Sequence, residues 1–189
     1  LAGLDVADGF YGMVFQDSDA AKWIEAAAYS LSIIPDKELE KQKKENHIKY
    51  MVIGNGSNLL VSDRGIDGVV IELGKNMSGI EINDSTVTVQ AGALLCTVSR
   101  EAAQNGLTGM EFASGIPGSI GGAVVMNAGA YGGEIKDIIV SADVLTEDGQ
   151  VITLSGEELE LSYRHSIVDE KNYIVLGAVF KLDHKDKSE

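Results

Sequence analysis

The chain has 189 residues, 44 % of them hydrophobic and 23 % charged, the balance of a globular protein of one ordinary domain or one and a half. Its formal charge of −14 disfavours nucleic acid and anionic membranes as partners, since both would repel it. One cysteine, Cys96, excludes an internal disulfide and reads as a small buried apolar residue, and no apolar run approaches the roughly 20 residues that span a bilayer. The first residues lack the basic leader of a secretory signal, and the single cysteine fits a reducing cytoplasm, the expected location.

In chain order, Asp17-Ser18-Asp19 can cap a helix over Ala20–Ala28, and Tyr29–Ile34 fits a short strand. Pro35-Asp36 opens a charged helical run to Asn46 whose face is mostly solvated. Tyr50–Ile53 and Val69–Leu73 predict strands, and Thr86–Gln90 alternates as a half-buried strand does. Leu94 to Asn105 predicts an amphipathic helix with Leu94, Leu95, Val98 and Ala102 on one side and Gly106 just past its end. Val140 to Leu154 predicts a hairpin turning at Glu147-Asp148-Gly149, Glu157–Leu161 one helical turn, and Tyr173–Leu182 a last strand. The polar tail after it is expected to be disordered. Strands and helices without steady βαβ alternation point to an α+β fold.

The glycines carry the functional signal. Residues 106–133 hold nine of the 22 glycines and one charged side chain, Glu111. A flexible linker would be polar, whereas this stretch mixes glycine with Ile116, Ile120, Val124 and Met126. A second cluster, Gly54-Asn55-Gly56-Ser57-Asn58-Leu59, follows the strand at Tyr50–Ile53. It is neither a Rossmann fingerprint, because Leu59 stands where the third glycine belongs, nor a phosphate loop with Gly-Lys-Ser/Thr. Dense glycine in apolar sequence is expected where backbone must approach something closely. In an acidic protein, backbone N–H groups are also a way to hold phosphate without net positive charge. The two clusters together suggest a large phosphate-bearing ligand. His47, His165 and His184 lack metal-ligand spacing.

Four segments in consistent order carry a resemblance: Ile53–Asp63 (IGNGSNLLVSD), Ala91–Leu95 (AGALL), the run Gly109–Glu134, and Ser162–Ser166 (SYRHS). Over about residues 35–182 the chain resembles the UDP-N-acetylenolpyruvoylglucosamine reductases, also called UDP-N-acetylmuramate dehydrogenases. These belong to the FAD-binding class of vanillyl-alcohol oxidase and p-cresol methylhydroxylase. The resemblance implies a two-subdomain FAD-binding fold, residues 1–84 and 85–182, followed by a tail at 183–189. It implies FAD and NADPH as cofactors, a UDP-sugar substrate, and reduction of an enolpyruvyl ether to a lactyl ether for the bacterial cell wall.

Carried over position by position, it implies cofactor contacts at Gly54, Asn55, Gly56, Ser57, Asn58, Leu59 and Gly92. It further implies them at Gly115, Pro117, Gly118, Ser119, Gly121, Gly122, Ala123, Asn127 and Gly129. Arg164 is the implied catalytic cation facing the enolpyruvyl carboxylate, with Tyr163 beside it at the substrate. Without the motif, Arg164 would read as an ordinary surface arginine. Two features of the family are not found. The His-Thr-Thr-Phe-type segment has no counterpart in residues 1–46. The third domain, with its proton-donating serine and assisting glutamate, is also missing, so the chain reads as the FAD-binding part of the enzyme. The alternatives are an FAD-binding domain that is non-catalytic or depends on a partner, and another oxidase of the same flavin class with a different substrate.

Overall fold

A computed structural model describes residues 49–184. The helices and strand expected before residue 47 lie outside the described residues. The chain divides into two compact units, residues 1–52 with 58–71, and residues 53–57 with 72–189. In the first, β1 (Tyr50–Ile53) and β2 (Val69–Glu72) form a two-stranded sheet at the positions the sequence predicts.

The second unit contains β3 (Ile80–Asn83), β4 (Thr86–Gln90), α1 (Leu95–Gln104), β5 (Leu107–Thr108) and α2 (Ile120–Val125). It continues with β6 (Gly129–Ala130), β7 (Gly133–Glu134), β8 (Ile139–Leu145) and β9 (Val151–Ser155). It closes with α3 (Ile167–Glu170), β10 (Ile174–Lys181) and β11 (Asp183–His184). The main sheet runs β3-β4-β10-β8-β9, every neighbouring pair antiparallel. Its alternation buries Val87 and Val89 from β4, Ala142 and Val144 from β8, and Val175, Ala178 and Phe180 from β10. The register of β10 on β8 shifts between Val175 and Gly177.

Helix α1 buries Leu95, Val98, Ser99 and Ala102, a stripe at i, i+3, i+4 and i+7 that also fills the core, while Leu94, expected on the same side, only sits at the N-cap and is exposed. The Ser99 hydroxyl is satisfied by donating to Met110 O at 2.9 Å. Past α1, Gly106 takes φ +73°, the left-handed residue expected after a helix end.

Residues 156–160 form one uncontinued turn in which Leu159 N donates to Ser155 O at 3.0 Å, near the helical turn expected there. Two elements differ from expectation. The glycine-rich stretch contains the six-residue helix α2 and the β6–β7 hairpin, which no apolar periodicity announces. The tail was expected to be disordered from residue 183, yet Asp183 and His184 pair with Thr108 and Leu107 of β5. His184 Nε2 also lies 2.9 Å from Asp84 Oδ1. Among the described residues no helix is long and apolar enough to cross a membrane.

Candidate functional site

The two glycine clusters, far apart in sequence, meet within the second unit. The loop Gly54–Ser57 leaves β1, and Asn55 Nδ2 donates to Pro117 O at 2.8 Å. Gly54 lies so close to Ser119 that a Cβ built there would fall 1.8 Å from Ser119 Oγ. The second cluster is laced in turn to residues 91–95. Leu95 N donates to Gly118 O at 3.0 Å, Ile120 N to Ala93 O at 2.9 Å, and Gly121 N to Ala91 O at 2.8 Å. The N–H groups of Ile120 and Gly121, at the start of α2, are therefore taken by protein carbonyls.

The glycines sort into two kinds by what surrounds them. Gly92 is buried, and a Cβ there would sit 2.4 Å from Gly74 O, 2.8 Å from Leu73 O and 2.9 Å from Met77 O. Gly121 faces Ala91, whose Cβ would be 3.1 Å away, and Gly129 faces Glu134 and Gly133 across the hairpin at 2.7 Å. At these positions the protein itself leaves no room for a side chain, which is reason enough for glycine. Ser119 and Ala123 are likewise buried.

Gly56 and Gly115 are different. Both are exposed, and a Cβ at either would meet nothing within 4 Å. Gly122 is exposed too, with only Ser119 Oγ nearby, at 3.7 Å, and a Cβ on Gly118 would make ordinary contact with Leu95 at 3.4 Å. At Gly56 the left-handed φ of +67° itself favours glycine, whereas neither packing nor backbone conformation gives a reason for it at Gly115 or Gly122. Main chain with open space where a side chain would stand, as at Gly115 and Gly122, fits close approach of a phosphate-bearing group. Asn58 and Leu59 carry the first loop onward into the other unit and are exposed.

At the far end of α2 the chain turns through Asn127, which is 4 % exposed and holds φ +42°. A left-handed conformation is more accessible to asparagine than to most residues. Its side chain is fully used within the protein. Nδ2 donates to Glu134 Oε2 at 2.6 Å and to Ser162 O at 3.1 Å, and Oδ1 accepts from Lys136 N at 2.9 Å. The Lys136 ammonium lies 2.5 Å from Glu134 Oε1. It holds the Glu134 carboxyl below the usual carboxylate range, while Glu134 raises Lys136. Glu134 also heads the short 3-10 turn Ile135–Asp137 with a reciprocal cap from Asp137.

Arg164 sits at the tip of a tight turn. Ser162 N donates to His165 O at 3.1 Å and His165 N to Ser162 O at 3.2 Å, which leaves Tyr163 and Arg164 as the two tip residues. Arg164 takes φ +56°, and Tyr163 is 88 % exposed. Both side chains are thus presented outward on a short, closed frame. Just after the turn, the fully buried Ser166 donates from Oγ to Val125 O at 2.7 Å and accepts from Asp169 N at 3.4 Å.

Glu134 and Ser166 were not singled out from the sequence. For Ser166 a signal existed, since Ser-Ile-Val-Asp has the serine and acidic residue of a helix cap three apart. For Glu134 none did. Among the described residues no cluster of three or more His, Cys, Asp or Glu could hold a metal.

The FAD binding domain family matches residues 38–155. The chain belongs to this FAD-binding family. It is 57 % identical over 164 residues to UDP-N-acetylenolpyruvoylglucosamine reductase of Agathobacter rectalis, covering 80 % of this chain and 52 % of that one. Its fold matches the crystal structure of UDP-N-acetylenolpyruvylglucosamine reductase from Thermus caldophilus with a TM-score of 0.66. That match has 38 % identity and covers 78 % of this chain and 54 % of that chain. A crystal structure of 6-hydroxy-D-nicotine oxidase from Arthrobacter nicotinovorans matches at TM-score 0.58 and 23 % identity, over 77 % and 33 % of the two chains, and speaks for the fold alone. Within the FAD-binding class the chain therefore groups with the UDP-N-acetylenolpyruvoylglucosamine reductases, over their FAD-binding portion. It spans about half the length of the curated relatives it matches. The α+β fold of the vanillyl-alcohol oxidase type, expected from the motifs, is the fold found.

Proposed function

We propose that this chain supplies the FAD site and the carboxylate-facing arginine of an NADPH-dependent reductase acting on UDP-N-acetylglucosamine enolpyruvate. The observation that supports it most is the placement of the two functional segments on opposite ends of one short helix. The open glycines Gly115 and Gly122 flank the start of α2, and the turn bearing Tyr163 and Arg164 is tied to its end.

A bound flavin would supply the hydride-transfer chemistry between NADPH and the enolpyruvyl double bond. The chain's own residues do the rest of what is assigned here. Backbone along Gly54–Ser57 and at Gly115 and Gly122 holds the cofactor without a side chain intervening. As hydride adds to the double bond, negative charge builds toward the substrate carboxylate, and Arg164 offers a fixed cation to meet it. Tyr163 lies beside that group on the same tip. The proton that completes the reduction is supplied by a group outside those named here. The cytoplasm and the cell-wall precursor pathway are the setting this activity implies.

The test is spectroscopic. The purified 189-residue protein, given FAD and passed through a desalting column, is expected to elute with a two-band flavin spectrum. Protein that elutes colourless from micromolar FAD would refute the cofactor assignment. In the full-length enzyme, oxidation of NADPH should depend on the UDP-enolpyruvyl sugar.

A further inference from the structure

The turn that presents Arg164 is held at both of its feet by side-chain hydrogen bonds that tie it to the end of α2. On the entering side, Asn127 Nδ2 donates to Ser162 O. On the leaving side, Ser166 Oγ donates to Val125 O. Neither group reaches the exposed tip between them. Asn127 and Ser166 are 4 % and 0 % exposed, so each bond is shielded from water at its side-chain end. Asn127 is itself fixed by Glu134 and by Lys136 N, leaving its amide one orientation that satisfies all its partners.

We propose that Asn127 and Ser166 are positioning residues for Arg164, clamping the two feet of its turn to the end of α2. This rests on the reading of Arg164 as the cation that meets the substrate carboxylate. The physical need is plain. An exposed arginine on a free loop would lose conformational entropy each time it met its anion, and small misplacements of such a group are costly in rate. Clamping the backbone beneath it removes most of that loss in advance. It also makes the arginine's position depend on the helix whose start borders the open glycines.

Two readouts on the full-length holoenzyme test this. The first is a double-mutant cycle on the rate at which NADPH-reduced flavin is reoxidised by the UDP-enolpyruvyl sugar. Ser166→Ala should slow that step about tenfold when Arg164 is present, and by less than about twofold in an Arg164→Ala background. An equal factor in both backgrounds would mean that Ser166 acts on the fold at large, and the positioning role falls. The second readout is limited trypsin digestion, comparing cleavage after Arg164 with cleavage after Lys181 in the central strand β10. Ser166→Ala and Asn127→Asp should each raise the former about tenfold and leave the latter unchanged. Cleavage after Arg164 that stays at the wild-type rate in both variants overturns the clamp. If cleavage rises but Arg164→Ala alone leaves reoxidation within about twofold, the catalytic reading of Arg164 fails, and positioning for catalysis fails with it.

Discussion

Gly92→Ala and Gly115→Ala should behave as opposites, although both positions resemble cofactor contacts in sequence. A Cβ on Gly92 would lie 2.4, 2.8 and 2.9 Å from three main-chain oxygens, none of which can rotate aside. Ordinary contact begins at 3.4 Å, so Gly74 O must retreat by about 1 Å and the other two by about half that. Two hydrogen bonds cross the same spot, Gly92 N to Met77 O at 2.8 Å and Met77 N to Gly74 O at 2.9 Å. Overpacking of this kind costs about 1–3 kcal/mol, and each strained hydrogen bond adds about 1 kcal/mol. The expected loss is about 3–5 kcal/mol, read by urea denaturation, with a fall in Tm of roughly 10 °C. Gly115 has open space where its Cβ would stand, and its stability should stay within about 0.5 kcal/mol of wild type. Its FAD affinity, measured by flavin fluorescence titration, should instead weaken by about tenfold or more, a difference of about 1.4 kcal/mol. Wild-type stability in Gly92→Ala would refute the packing explanation for that glycine. Wild-type FAD affinity in Gly115→Ala would refute the open backbone at Gly115 as part of the cofactor's seat.

Arg164→Ala in the full-length enzyme should lower kcat by about 10²–10³-fold while FAD remains bound, measured by substrate-dependent NADPH oxidation; a loss below about threefold removes its role. Phe180→Ala, at a fully buried position of β10, should cost about 3–5 kcal/mol in urea denaturation and leave a cavity in the main sheet's core. The Glu134 carboxyl is depressed in the folded protein, first by the Lys136 hydrogen bond. Its contribution to stability is therefore fully present above its ordinary value of 4.5 and is lost as the pH falls through the lower folded value. Tm should drop more steeply on acidification below that value in wild type than in Glu134→Gln, and parallel curves would exclude the effect.

Much of the fold was legible in local sequence. The alternation of Thr86–Gln90, the stripe Leu95, Val98, Ala102 and the Asp148-Gly149 turn each encode their element within a few residues, and β4, α1 and the β8–β9 hairpin stand where those signals put them. The motifs were equally local, and they fixed the family. The short helix α2 was hidden because Ile120-Gly-Gly-Ala has no periodicity of its own; it is held by carbonyls of Ala91 and Ala93, which lie some thirty residues earlier. The reasons for the glycines were hidden in the same way. In sequence Gly92, Gly115 and Gly121 look alike, but whether a Cβ meets a carbonyl, a neighbouring alanine or open space is decided by chain brought from elsewhere. The role proposed for Arg164 came from its motif, whereas the hydrogen bonds of Asn127 and Ser166 beneath its turn came only from packing. The SYRHS segment and Asn127 are about 35 residues apart, and no local rule couples a side-chain amide to a carbonyl at that distance. Sequence determined which groups this chain carries; tertiary structure determined which of them are spent inside the protein and which remain turned outward.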